Sequence, residues 1–173
     1  MALLPILTAP DPRLKVVSDP VEAVDEDLRR LMDDMRETMY AAPGIGLAAV
    51  QVGVPKRVIV VDTGEQGGQD EILYLINPEI VSTSDELWIY EEGCLSLPDQ
   101  YADVRRPIRA TVKFMDYDGE PQELSSRGLL ASCIQHELDH LEGILFVDYL
   151  SALRRGIILK KLQKAQRQAA PTG

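Results

Sequence analysis

The chain has 173 residues, of which 45% are hydrophobic and 27% charged, a composition typical of a globular protein with one sizeable core. Its net charge of −10 argues against general affinity for DNA, and two cysteines are too few for a disulfide framework. The longest uncharged stretch, residues 38–55, is interrupted by prolines and glycines, so we predict no membrane span. Residues 1–7 lack a basic region and a long apolar run, so we predict no signal peptide and expect a cytoplasmic protein.

Residues 25–124 predict one helix followed by a series of strands. Asp25 can cap a helix whose apolar residues recur at helical spacing, and Pro43 ends it; its methionines are expected in the core. Short apolar runs then predict strands at 57–62, 72–76, 79–90 and 108–116. The Asp-Gly pair at 118–119 predicts a hairpin turn into a strand at 121–124, and residues 64–68 are expected to form an exposed loop.

Two helices are predicted in the C-terminal half. The first should begin near Ser125 or Ser126, either of which can act as its cap, and should end at Gly143. It has one apolar stripe, formed by Leu130, Ile134, Leu138 and Leu141. The second helix should cover residues 151–168.

Strands that precede helices without βαβ alternation indicate an α+β fold. We predict mostly antiparallel sheets packed around a central helix, with a further helix towards each end of the chain. Residues 1–150 are expected to form a single domain, and residues 151–173 a helical, basic tail that belongs to the same domain.

The segment Gln135-His136-Glu137-Leu138-Asp139-His140 contains the only two histidines of the chain. On a helix, positions i and i+4 share one face, so both imidazoles can bind the same metal ion. The glutamate between them can act as a base on water held by that ion. The central helix is therefore predicted to be a metal-binding HExxH helix of a hydrolase.

A catalytic site of this kind needs three protein ligands and one open position. Phe146 stands where one group of metalloproteases has a third histidine, and Asp148, the only acid after Glu142, is too near to reach back from a later helix. Cys133 lies on the same helix about 10 Å from the second histidine, and is expected to be a small buried residue beside the site. Cys94 is therefore the predicted third ligand; the alternatives are a buried structural cysteine or a nucleophile.

Residues 44–51, with the sequence GIGLAAVQ, are small and apolar and end in an amide. Small residues allow a substrate backbone to lie against the chain as an added strand, and Gln51 can donate a hydrogen bond to a developing oxyanion. The same pattern on its own is more often a turn. It does not match a dinucleotide-binding motif, because it follows a helix and lacks the third glycine.

Taken together, three segments in this order closely resemble those of the peptide deformylases. They are residues 44–51 (GIGLAAVQ), 92–96 (EGCLS) and 135–140 (QHELDH). Residues 10–14 (PDPRL) are similar to the opening motif of that family, and the resemblance covers about residues 3–155. It implies an enzyme that removes the N-formyl group from the formyl-methionine of nascent polypeptides and releases formate.

The resemblance also implies a role for each matching residue. The metal ligands would be Cys94, His136 and His140. A metal-bound hydroxide would attack the formyl carbon, with Glu137 as general acid and base, while Gln51 and the backbone N–H of Leu95 would hold the oxyanion. The family implies Fe(II) as the native metal, whereas one thiolate and two imidazoles alone suit Zn(II), Fe(II), Co(II) or Ni(II).

Substrate contacts follow from the same resemblance. Gly46 would pair with the substrate backbone, and the methionine side chain would enter a pocket near Ile45, Leu129 and Cys133. Three residues differ from those common in the family: branched aliphatic residues are usual at the positions of Tyr90 and Ser132, and a basic residue at that of Tyr101.

The tail contains six basic residues after Asp148, the only acid of that segment. The resemblance implies that this basic helix docks on the ribosome, and the alternative is a solvated helix face with no partner. Two other functions are consistent with the motifs. One is a metal amidase or endopeptidase that cleaves unformylated peptides; the other is a non-catalytic protein with a structural metal site, or a degenerate homologue bound to the ribosome.

Overall fold

The computed structural model describes residues 2–64 and 72–169, and most of the loop expected at 64–68 lies outside these ranges. The helices are α1 (Glu26–Ala41), α2 (Leu129–Leu141) and α3 (Ala152–Ala169). The strands are β1 (Gly46–Ala48), β2 (Val58–Val61), β3 (Leu73–Thr83), β4 (Leu87–Cys94), β5 (Leu97–Pro107), β6 (Arg109–Met115) and β7 (Pro121–Arg127). They form a five-stranded antiparallel sheet in the order β1-β2-β3-β6-β7 and a two-stranded antiparallel sheet, β4-β5. The predicted α+β architecture is confirmed.

A helix packs on each face of the five-stranded sheet. Strand β2 is buried on both faces, because successive side chains of a strand point in opposite directions: Ile59 and Val61 face α2, while Val58 and Val60 face α1. The α1 side is filled by Met32, Met35 and Met39, and the α2 side by Ile134, Leu138 and Leu141. One face of α2 is thus fixed on the sheet, and its other face is left to line a cavity.

Helix α1 begins where the sequence predicts. The Asp25 carboxylate accepts a hydrogen bond from the backbone N–H of Leu28 at 2.9 Å, which satisfies a donor that has no partner within the helix. The methionines of α1 are fully buried, so their predicted place in the core is also confirmed.

Helix α2 begins later than predicted, at Leu129 instead of near Ser125 or Ser126. Both serines belong to β7, where the Ser126 hydroxyl donates to the carbonyl of Ala110 on β6 at 3.0 Å. Gly128, with φ 67°, turns the chain from strand to helix in a conformation that favours glycine. The prediction was wrong because a serine hydroxyl that can cap a helix can equally hydrogen-bond across a pair of strands.

Two strand predictions also differ from the structure. The strand predicted over 79–90 is divided, since β3 ends at Thr83 and β4 begins only at Leu87. Strand β5 was not predicted, because Pro98 and Asp99 at its start and the charged residues along it obscure the alternation. Its buried positions are Leu97, Ala102, Val104 and Arg106.

Helix α3 lies within one residue of its predicted range. Ile158 and Leu162 bury their side chains in a cluster with Phe146, whereas most of the basic residues of α3 are exposed. Within the described ranges, no helix combines the length and the apolar character that a membrane crossing requires.

Candidate active site

The face of α2 that points away from the sheet lines a cavity of about 780 Å³. Five residues of α2 reach it at the three- and four-residue spacing of one helix face: Leu129, Ser132, Cys133, His136 and Glu137. The other walls come from β1 with the segment before it, and from β4 with the turn that follows it. A cavity of this size is in the range that small-molecule and peptide sites occupy.

The three residues predicted as metal ligands lie together. The potential ligand atoms of Cys94, His136 and His140 are all within 4.8 Å of one another, and the Cys94 Sγ is 3.3 Å from the His140 Nε2. Sulfur and nitrogen ligands at bond lengths of about 2.3 and 2.0 Å in a tetrahedral arrangement lie about 3.5 Å apart. The residues therefore fit a divalent transition metal, and they are the only such group among the described residues.

A chain of buried ion pairs holds the His136 ring. Its Nδ1 lies 2.9 Å from a Glu92 carboxylate oxygen, and Arg106 donates two hydrogen bonds to the same carboxylate at 2.6 and 3.0 Å. Arg106 also donates to Asp139 at 2.8 Å, and Asp139 accepts from the Tyr149 hydroxyl at 2.7 Å. A carboxylate on the second ring nitrogen fixes the tautomer and orientation of a ligating histidine, which leaves the His136 Nε2 for a metal.

Burial and neighbouring charges set the protonation of this group. Burial raises the pKa of Glu92, but hydrogen bonds from His136 and Arg106 outweigh it and hold the pKa below its usual value. Burial lowers the pKa of both histidines; at His140 the pKa falls well below its usual value, whereas at His136 contacts with Cys94 and Glu92 raise the pKa well above it. Glu92 is therefore an anion beside His136 at neutral pH.

Glu137 is a buried carboxyl in which one oxygen has no partner within the described ranges. Its side chain is 4% exposed, and among the described residues its Oε2 has no hydrogen-bond partner. Burial raises the pKa of Glu137 to about 7, and the nearby charge of His136 lowers it by less. Since Glu137 lines the cavity, its carboxyl group lies beside any molecule bound there.

The Gln51 carboxamide is fixed with its nitrogen towards the ligand group. Its Oε1 accepts from the backbone N–H of Ala48 at 2.8 Å, and its Nε2 donates to the Ser96 hydroxyl at 2.9 Å and lies 3.6 Å from the Cys94 Sγ. The bond from Ala48 settles which end is oxygen, because of the two ends of a carboxamide only the oxygen can accept from an N–H. Gln51 and Ser96 are both buried.

The remaining predicted residues also lie around the cavity. A Cβ added to Gly46 would lie 2.7 Å from the Glu137 Oε1 and 2.9 Å from the Cys133 Sγ, so this position has no room for a side chain. Ile45 and Leu95 line the cavity as well, Leu95 from the turn between β4 and β5. Strand β1 pairs with β2 along one edge, and no strand in the described part of the chain pairs with its other edge.

Several residues of the site were not found from the sequence. Arg106 and Tyr149 had no predicted role, and Glu92, Ser96 and Asp139 were noted only as part of longer motifs. Every second residue of β5 points inward, and residue 106 is one of these positions, so a charged residue there indicates a buried partner of opposite charge. This signal can be used only once the strand itself has been recognised.

Comparison with known proteins gives one consistent result. A sequence profile of the polypeptide deformylase family matches residues 3–156. The chain is 56% identical over 169 residues to a peptide deformylase of Phenylobacterium zucineum, covering 98% of this chain and 100% of that one. It is 53% identical over 165 residues to one of Rhizobium meliloti, covering 95% of each. The crystal structure of the Ehrlichia chaffeensis peptide deformylase in complex with actinonin has a TM-score of 0.92 at 44% identity, with 96% of this chain and 99% of that chain covered. The crystal structure of a peptide deformylase from Legionella pneumophila has a TM-score of 0.92 at 46% identity, with 99% of this chain and 100% of that chain covered.

Proposed function

The chain belongs to the polypeptide deformylase family and is a hydrolase, and from this premise we propose that it removes the N-formyl group from the formyl-methionine of nascent polypeptides and releases formate. One observation carries the proposal: Cys94, His136 and His140 converge in one group, and two of them, Cys94 and His136, line the same cavity as Glu137. The two alternative functions are less consistent with these findings. An endopeptidase that used the same residues would belong to another family. A structural metal site would be expected to have four protein ligands instead of three.

We propose that Cys94, His136 and His140 hold one divalent metal, with Fe(II) native and Zn(II), Ni(II) or Co(II) as substitutes. The donor set supports this proposal, because thiolate and imidazole suit all four ions. A bound ion of this class lowers the pKa of water from about 16 towards about 7 and polarises a carbonyl oxygen.

Glu137 moves the proton in the proposed reaction. Its carboxylate accepts a proton from the water that attacks the formyl carbon, and a new carbon–oxygen bond forms. When the carbon–nitrogen bond breaks, Glu137 passes that proton to the departing amine, so the products are formate and a free N-terminus. The position of Glu137 on the cavity wall, next to His136, supports the role, since a general base needs to lie within reach of the proton that it accepts.

Gln51 and Leu95 are proposed to stabilise the oxyanion that forms on the formyl oxygen. The Gln51 amide is already held with its N–H groups towards Cys94, so it loses no freedom when the charge develops. The backbone N–H of Leu95 is the proposed second donor, from the turn directly after Cys94.

The substrate is proposed to lie along the unpaired edge of β1. Gly46 would pair with the substrate backbone, as strands do when an extended peptide adds to a sheet. The methionine side chain would then enter the part of the cavity bounded by Ile45, Leu129 and Cys133. The absence of a side chain at Gly46 supports this, because it lets the peptide approach the Glu137 carboxyl.

We also propose that α3 docks on the ribosome. Ile158 and Leu162 fix one side of the helix on the protein, while the opposite side is strongly basic and exposed. Replacing Lys160, Lys161 and Lys164 by Gln should reduce co-sedimentation with ribosomes without affecting hydrolysis of a free peptide. Unchanged co-sedimentation would contradict this docking role.

Formate release tests the proposed reaction. We expect protein prepared anaerobically with Fe(II) to release formate from formyl-Met-Ala-Ser, and to leave the peptide bonds of unformylated Met-Ala-Ser intact. Cleavage of the unformylated peptide would indicate an endopeptidase. Absence of formate from folded, metal-loaded protein would refute the proposal.

A further inference from the structure

One polar side chain interrupts the apolar part of the cavity. Ser132 lies on α2 among Leu129, Cys133 and Ile45, and it is only 2% exposed. A hydroxyl can both donate and accept a hydrogen bond, and a buried one usually has at least one partner, so the role that Ser132 leaves unused shows what this part of the cavity can bind.

The Ser132 hydroxyl is used as an acceptor. The Trp88 Nε1 donates to its Oγ at 2.9 Å, and an indole nitrogen can only donate. Trp88 is held in place by stacking on Tyr90, with ring centroids 5.4 Å apart and planes 24° from parallel. Among the described residues, the structure shows no hydrogen bond donated by the Ser132 hydroxyl, so Ser132 retains an unused donor at the cavity wall.

This donor lies where a substrate side chain would end. Ser132 precedes His136 by four residues, about 6 Å along the helix axis. An extended methionine side chain spans a similar distance, so when the formyl group lies beside His136 and Glu137 the thioether comes near Ser132. A thioether sulfur is a weak hydrogen-bond acceptor, and a methylene group is not an acceptor at all.

On the premise of the proposed function, we propose that Ser132 is a specificity residue. Its hydroxyl donates a hydrogen bond to the side-chain sulfur of the first residue and favours methionine over norleucine, in which a methylene replaces the sulfur. A neutral hydrogen bond in a buried site corresponds to a preference of about twofold to tenfold, and the weakness of sulfur as an acceptor places this one towards the lower end.

The test compares kcat/KM for formyl-Met-Ala-Ser and formyl-norleucyl-Ala-Ser, measured by formate release. Ser132→Ala should reduce the preference for methionine by about twofold to tenfold, chiefly by slowing the methionine peptide. Ser132→Thr retains a hydroxyl and should keep the preference, whereas Ser132→Val, of nearly the same shape, should lose it. The Thr and Val pair decides the question if the Ala variant folds poorly.

Cys133→Ala is the matched control. It alters the adjacent position in the same pocket, where the Sγ already lies 3.6 Å from the carbonyl of Ile45, and should change both substrates by the same factor. An unchanged preference in Ser132→Ala and Ser132→Val would overturn the inference while formate release still upheld the proposed function. No formate from either peptide with the unmodified protein would instead refute the proposed function, and the inference with it.

Discussion

Replacing Glu92 by Gln should weaken metal binding although all three proposed metal ligands remain in place. Glu92 accepts from the His136 ring at 2.9 Å and from Arg106 through both of its oxygens. A carboxamide has a single acceptor oxygen, so one of these partners would face an NH2 group instead. His136 would then lose its fixed tautomer, or Arg106 would lose a hydrogen bond, and in either case Arg106 would lose the negative charge that neutralises it.

The size of the effect follows from the burial of the pair. Loss of a residue that orients a metal ligand typically costs about 10-fold to 100-fold in metal affinity. Removing one partner of a buried ion pair costs about 3–5 kcal/mol of folding stability. The Glu92 and Arg106 side chains are 5% and 6% exposed, so solvent screens them little. In Glu92→Gln, Arg106 keeps its ion pair with Asp139 at 2.8 Å. The expected loss of folding stability therefore lies near the lower end of that range, at about 3 kcal/mol.

The two effects are measured separately. Competition with a chelator gives the Zn(II) or Co(II) affinity, and urea unfolding of the metal-free protein gives the stability. Glu91→Gln is the matched control, since Glu91 is the preceding residue on β4 and is exposed. Metal affinity of folded Glu92→Gln within twofold of the unmodified protein would refute the reasoning.

Three further predictions concern residues around and beyond the site. Gln51→Ala should lower kcat for formate release by about 10²–10³ with metal content unchanged. Adding Ser96→Ala to that variant should lower kcat little further, because Ser96 acts by holding Gln51. If the losses of the two single variants added in full in the double variant, that role of Ser96 would be contradicted. Gly46→Ala should destabilise the protein by about 1–3 kcal/mol in urea unfolding, because the added Cβ would overlap Glu137. The control Gly156→Ala, which has open space around the added atom, should be neutral or stabilising. Equal changes in stability for the two variants would contradict the steric argument. Asp148→Asn should lower the urea midpoint at pH 7, because hydrogen bonds from Lys15 and Leu145 outweigh burial and hold the pKa of Asp148 below its usual value. The stability that the ionised Asp148 contributes is present above the unfolded-state pKa of about 3.9 and is lost as the pH falls through the lower folded-state pKa. The urea midpoints of Asp148→Asn and the unmodified protein should therefore converge below pH 4. A difference between these midpoints that stays constant with pH would argue against an ionic role.

Features that depend on neighbouring residues in the sequence could be predicted. The Asp25 cap, the apolar stripe of α2 and the i, i+4 pair of histidines each express a local rule, and the structure contains all three. Cys94 was selected from chemistry, as the sole donor left that could approach from outside α2. The structure brings it to the two histidines across 42 and 46 residues of chain.

Features that depend on distant partners could not be predicted in the same way. Ser126 was read as a cap because its strand partner on β6 is set by tertiary pairing. Arg106 was not assigned a role because its position looks like that of a surface residue until β5 is paired with β4, which turns it towards Glu92. Ser96 has no signal of its own, since a serine hydroxyl that orients a carboxamide is recognisable only once Gln51 lies beside it.

X-ray absorption at the metal edge tests the central claim, that Cys94, His136 and His140 hold the metal, most directly. We expect protein reconstituted with Zn(II) or Co(II) to show one sulfur scatterer at about 2.3 Å and two imidazole nitrogens at about 2.0–2.1 Å. Cys94→Ser should remove the sulfur signal, whereas Cys133→Ser should leave it. A first shell without sulfur, or a sulfur signal that survives Cys94→Ser, would contradict the account.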